Sequence, residues 1–106
     1  MSVMDQGHYK NRLRRLRLLQ FLSRSYPEPV SDRLLLTLAK QDPELSPNLQ
    51  KVRRSLTYLE DRGFVAVEMR RDDLWIARCL PDGIDYLEGE DPGIDGLAHP
   101  DNFMEK

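Results

Sequence analysis

The chain has a single cysteine, Cys79, and only two histidines, His8 and His99. One thiol closes no internal disulfide, so the fold is expected to rest on packing in a reducing compartment. One cysteine and two distant histidines supply no metal-ligand spacing, so no metal site is expected. No apolar run approaches the ~20 residues of a membrane span, and the first residues lack the apolar core of a signal peptide. The expectation is a cytoplasmic protein without a membrane partner. With six glycines, none grouped into a phosphate-cradling loop, and no serine, cysteine or histidine in a nucleophile setting, no enzyme, cofactor or small-molecule substrate is expected.

What the chain has is charge, unevenly placed. The net formal charge of −2 hides a basic front, with 12 Lys/Arg against 7 Asp/Glu in residues 1–62. The rear is acidic, with 4 against 11 in residues 63–106. Such polarity suits a basic patch facing an anionic partner, an internal pairing of the two halves, or head-to-tail association. At 106 residues there is room for one core.

Residues 1–7 show no periodicity and read as a flexible N-terminal arm. From His8 to Arg24 the steps Leu13, Leu16, Leu19, Leu22, flanked by Leu18 and Phe21, draw one stripe on a helix. Tyr26-Pro27-Glu28-Pro29 stops it, because Pro lacks a donor and restricts the residue before it. Ser31 reads as the N-cap of a second helix, with Asp32 in its first turn, running to about Gln41 and burying Leu34, Leu35 and Leu38. Asp42-Pro43-Glu44-Leu45 breaks that helix. Ser46-Pro47 then reads as a capping hydroxyl followed by proline at the first helical position. The third helix extends to Arg62, where Gly63 ends it.

Beyond Gly63 the hydrophobic period falls to two. Val65, Val67 and Met69 share one face of a strand, and Trp75, Ala77 and Cys79 share one face of a second, running from Leu74 to Leu80. The polar turn Arg71-Asp72-Asp73 joins them into a hairpin. Pro81-Asp82-Gly83 opens a last short helix, Ile84 to Glu88. Residues 8–89 therefore form the domain, and residues 90–106 an acidic tail containing Pro and Gly.

Three helices followed by a two-stranded ribbon predict a mainly α fold with a β-hairpin, a winged helix-turn-helix. At 100° per residue Leu49, Val52, Leu56 and Leu59 of the third helix turn inward, while Gln50, Lys51, Arg54, Thr57 and Tyr58 face out and Arg53 lies at the border. A face mixing cations, an amide, a hydroxyl and an aromatic ring is suited to meet phosphates and base edges in a major groove. Arg70 and Arg71, near the hairpin tip, are placed for a backbone or minor-groove contact, with Asp72 and Asp73 beside them as internal partners. The densest positive run, Lys10, Arg12, Arg14, Arg15 and Arg17, is expected behind the third helix, as a solvated face or a dock for acidic residues of the tail.

The run Val52-Arg53-Arg54-Ser55-Leu56-Thr57-Tyr58-Leu59-Glu60-Asp61-Arg62-Gly63-Phe64-Val65-Ala66-Val67-Glu68, within Ser46 to Leu80, resembles the helix and wing of ArsR- or MarR-like regulators. Leu74-Trp75-Ile76-Ala77, Gly83, Pro92-Gly93-Ile94 and Pro100 resemble more closely a family of small proteins of Mu-like phages and prophages. The resemblance spans roughly Leu13 to Pro100 and implies a phage-type intracellular winged-helix protein. It departs where Thr or Ser commonly caps the final helix, a place held here by Leu80. Duplex DNA is the expected partner, bound in transcription regulation or DNA handling and by a homodimer. The alternative is a protein-interaction module of the same fold, meeting a phage or host protein.

Overall fold

The computed structural model describes residues 3–89, with side chains from Tyr9 onward. The leucine stripe of the first helix organises everything around it. Helix α1 (Val3–Ser25) buries Leu13, Leu16, Leu18, Leu19 and Leu22 against the rest of the core. It starts five residues before the expected His8, so residues 3–7, read from sequence as part of an arm, continue the helix. The tail of residues 90–106 lies outside the described residues.

After Pro29 the chain makes a two-residue strand, β1 (Val30–Ser31), and enters α2 (Asp32–Ala39). Ser31 caps α2 as expected, its hydroxyl accepting from the Leu34 amide at 3.1 Å. Leu35 and Ala39 are buried, but Leu34 is 49% exposed and Leu38 only half-buried, so the expected inward set is corrected. The helix stops at Ala39, two residues short of Gln41. The next segment folds as a 3-10 turn, Pro43–Leu45, capped by the Asp42 carboxylate and burying Leu45.

Helix α3 (Leu49–Asp61) begins later than Ser46-Pro47 suggests. Ser46 sits in the left-handed region (φ 45°) and ends the 3-10 turn, while the Asn48 side chain accepts from the Lys51 amide at 2.8 Å as the true N-cap. Both residues are good caps. Burial of Leu45 decides between them, because the tight turn that seats it consumes Ser46. Gly63 (φ 80°) terminates the helix as expected.

Strands β2 (Val65–Arg71) and β3 (Leu74–Cys79) form an antiparallel hairpin around the two-residue turn Asp72-Asp73. Strand β1 adds to the other edge of β3, so the sheet order is β1-β3-β2. Val65 opposes Cys79 and Val67 opposes Ala77, but the next partner of Ile76 is Met69, which leaves Glu68 as the extra residue of a bulge. The slip reverses the faces beyond it. Met69, expected beside Val65 and Val67, turns outward and is 38% exposed, and Arg70 moves to the Trp75 face. Helix α4 (Pro81–Leu87) starts at Pro81, three residues before the expected Ile84, with no side-chain cap at Leu80. It closes the core with Tyr86, whose ring lies 5.2 Å from that of Phe64. The described chain is a small α/β domain of three helices, a hairpin and a short final helix.

Candidate nucleic-acid interface

Helix α3 carries most of the expected site, and its two halves behave differently. Val52, Ser55, Leu56 and Leu59 form its buried stripe. On the opposite side Gln50, Arg54 and Thr57 are exposed, with Lys51 half-exposed next to them. The Thr57 hydroxyl is turned back onto the Arg53 carbonyl at 3.1 Å. The Lys51 ammonium donates to the Ser46 carbonyl at 3.2 Å. Among the described residues neither Lys51 nor Arg54 has a carboxylate within ion-pair distance. The first turn of α3 holds no acidic residue, so its dipole adds to their positive field.

Arg53 does not belong to that outward face. Its Nε donates to Oδ2 of Asp32 at 2.7 Å, and one terminal nitrogen donates to the Asp72 carbonyl at 3.0 Å. Its guanidinium lies 5.3 Å from the Trp75 ring. Asp32 is fully buried and the Arg53 side chain is 18% exposed. The arginine is a bolt joining α2, α3 and the hairpin turn. Asp32, expected to serve only the α2 dipole, is its anchor.

Tyr58 also departs from the outward set. Its ring is flanked by the Arg15 guanidinium at 4.0 Å and that of Arg62 at 5.2 Å, and its buried hydroxyl has no hydrogen-bond partner among the described residues. It belongs to the seam between α1 and α3. On the hairpin, Arg70 pairs with Glu60 at 2.7 Å and lies 4.5 Å over Trp75. Arg71 stands 3.7 Å from Asp73, both side chains well exposed. Of the eight residues the sequence singles out, the structure therefore brings Gln50, Lys51, Arg54 and Thr57 together on open surface, and engages the cations Arg53, Arg70 and Arg71 with acids.

The cluster on α1 is not confined to the back of α3. Asn11, Arg14 and Arg15 face Lys51, Arg54 and Ser55 across a cleft of about 90 Å³. Arg14 is only 3% exposed. Its Nε and one terminal nitrogen both donate to the Leu45 carbonyl, at 3.2 and 2.5 Å, and the other donates to Oδ1 of Asn11 at 2.8 Å. Burial, and then the Arg15 charge, lower the pKa of Arg14. Desolvation does the same for Arg15, with Arg12 and Arg62 acting in the same sense and Tyr58 opposing. Two signals in the sequence point to this seam. Arg14 is four residues before the buried Leu18, on one helix face, and Ser55 falls inside the inward stripe, where a small side chain lets a neighbouring helix approach.

Among the described residues no group of three His, Cys, Asp or Glu side chains is placed to hold a metal ion, and no helix is long and apolar enough to cross a membrane. The His8 side chain and His99 lie outside the described residues. Cys79 is buried, its thiol pushed up to about 11 by desolvation. Comparison of the chain with protein-family models, curated proteins and solved structures returns no match.

Proposed function

We propose that this chain is a winged-helix protein that binds duplex DNA through the outward face of α3, in gene control or DNA handling of the phage type its sequence resembles. The order of three helices, a hairpin and a short helix supports the fold, together with a short strand after α1 that joins the hairpin. One observation carries the function: Arg54, exposed, and Lys51, half-exposed, stand beside Gln50 and Thr57, uncompensated by any described carboxylate. Cations not neutralised by a carboxylate are the ones available to displace counterions from a phosphate backbone. Gln50 is the side chain best suited to read a base edge, through paired contacts to adenine.

The test is the salt dependence of binding to a random-sequence duplex. Each phosphate contact contributes roughly 0.9 to the slope of log affinity against log salt. Lys51→Ala with Arg54→Ala is expected to flatten that slope by about 2. Arg53→Met is expected to leave it unchanged at temperatures where the protein stays folded. Absence of duplex binding at low salt, or an unaltered slope in the double variant, overturns the reading. The engagement of Arg70 by Glu60 and Arg71 by Asp73 supports a second reading, a protein-interaction module whose hairpin-tip arginines are already paired within the domain. Its mark is a stable protein complex with no salt-dependent affinity for duplex DNA.

A further inference from the structure

We infer that the cleft between α1 and α3 is a discrete site for one tetrahedral oxyanion of the phosphate class, held by Arg14, Arg15, Lys51 and Arg54 with Asn11 and Ser55 as neutral donors. The site shares Lys51 and Arg54 with the duplex reading but does not need it.

Among the described residues the lining has four cations, one amide and one hydroxyl, with no carboxylate. Its volume of about 90 Å³ is well above the ~10–15 Å³ that a single water needs. Buried charges in proteins are ordinarily paired, yet among the described residues the Arg14 guanidinium, 3% exposed, meets a carbonyl and an amide oxygen and no carboxylate. Three of its five N–H donors are engaged by those contacts, which leaves two. Arg15 beside it adds like charge, and Lys51 lies in the first turn of α3, where the helix dipole favours an anion. Guanidinium forks match the oxygen spacing of phosphate, and an ammonium adds a mobile point charge. An anion bound here neutralises the buried Arg14 and ties α1 to α3.

The same chemistry arises from a free phosphate or phosphorylated small molecule and from a phosphodiester of a nucleic acid backbone. The ¹⁵N-labelled full chain is titrated with sodium phosphate at constant ionic strength set by sodium chloride. Saturable shifts of the Asn11, Arg14, Arg15, Lys51, Arg54 and Ser55 amides are expected. Lys51→Gln with Arg54→Gln is expected to weaken binding at least tenfold while leaving the rest of the spectrum in place. Both side chains are at the surface, whereas Arg14 holds the Leu45 carbonyl and is left intact. Shifts that never saturate, or equal affinity in the double variant, overturn the site even if duplex DNA binds. Saturable phosphate binding without any duplex binding supports the site and removes the duplex reading. Competition separates the sources. Phosphate that displaces duplex more than chloride does at equal ionic strength supports a backbone phosphate in the cleft. Phosphate and duplex bound together support a free phosphorylated ligand.

Discussion

Replacing Arg53 by methionine tests whether this arginine holds the fold together or meets a ligand. The substitution keeps most of the apolar stem and removes the charge. Asp32 then stays behind with no exposure, its Oδ2 losing the 2.7 Å bond and its Oδ1 already without a partner among the described residues. Removing one partner of a buried pair typically costs about 3–5 kcal/mol. Since Arg53 itself is 18% exposed, the lower end applies, about 3 kcal/mol with the loss of its contact to Trp75 included. For a domain of this size that is a fall in Tm of about 15 °C. Asp32→Ala is expected to cost less, about 1–2 kcal/mol, because the orphaned Arg53 can still reach water. The double variant is expected to be more stable than Arg53→Met alone, since no buried charge remains unpaired. Urea unfolding followed by the fluorescence of Trp75, the single tryptophan, measures all four proteins. A loss below about 1 kcal/mol for Arg53→Met, or a double variant no better than it, refutes the reasoning.

Two further outcomes follow from the core. A Cβ at Gly83 would stand 2.6 Å from the Phe64 carbonyl oxygen, 3.1 Å from the Cys79 sulfur and 3.1 Å from Leu19 Cδ1. Gly83→Ala is therefore expected to destabilise by about 1–3 kcal/mol, seen as a lower urea midpoint; an unchanged midpoint would show that α4 shifts freely on α1. The buried Cys79 thiol, raised from 9.0 to about 11, favours the protonated form in the folded state only. Its contribution is complete below pH 9 and is lost as pH rises toward 11, by about 1.4 kcal/mol per unit. Between those values the wild type is expected to lose more stability than Cys79→Ala; parallel pH profiles would contradict the burial.

Local signals in the sequence carried the helices, the Ser31 cap, the Gly63 stop and the hairpin, because each depends on residues within a few positions. The misreadings share a cause of the opposite kind. Ser46 and Asn48 are equally good caps in isolation, and only the burial of Leu45 separates them. The bulge at Glu68 is one residue of slip against β3, invisible to an alternating pattern that otherwise continues through Met69. Strand β1 is two residues long, too short to show any period. Arg53 owes its inward turn to Asp32, 21 residues earlier, and Arg14 its burial to the Leu45 carbonyl, 31 residues later. Helix-wheel geometry places such side chains at a border and is silent on which partner waits there. The cations of the candidate interface, Lys51 and Arg54, were legible because no described carboxylate from elsewhere in the chain pairs with them.

The turn of the hairpin is fastened from two sides: Arg33 of α2 donates twice to the Asp73 carbonyl, at 3.1 and 2.9 Å, and Arg53 of α3 donates to that of Asp72. A ribbon pinned at its far end as well as its base does not sweep through solvent in search of a contact. Whatever docks alongside α3 meets a contour already cast, with little ordering entropy left to spend on arrival. The cost of such a mould is adaptability: a target of the wrong curvature must itself bend, or is turned away.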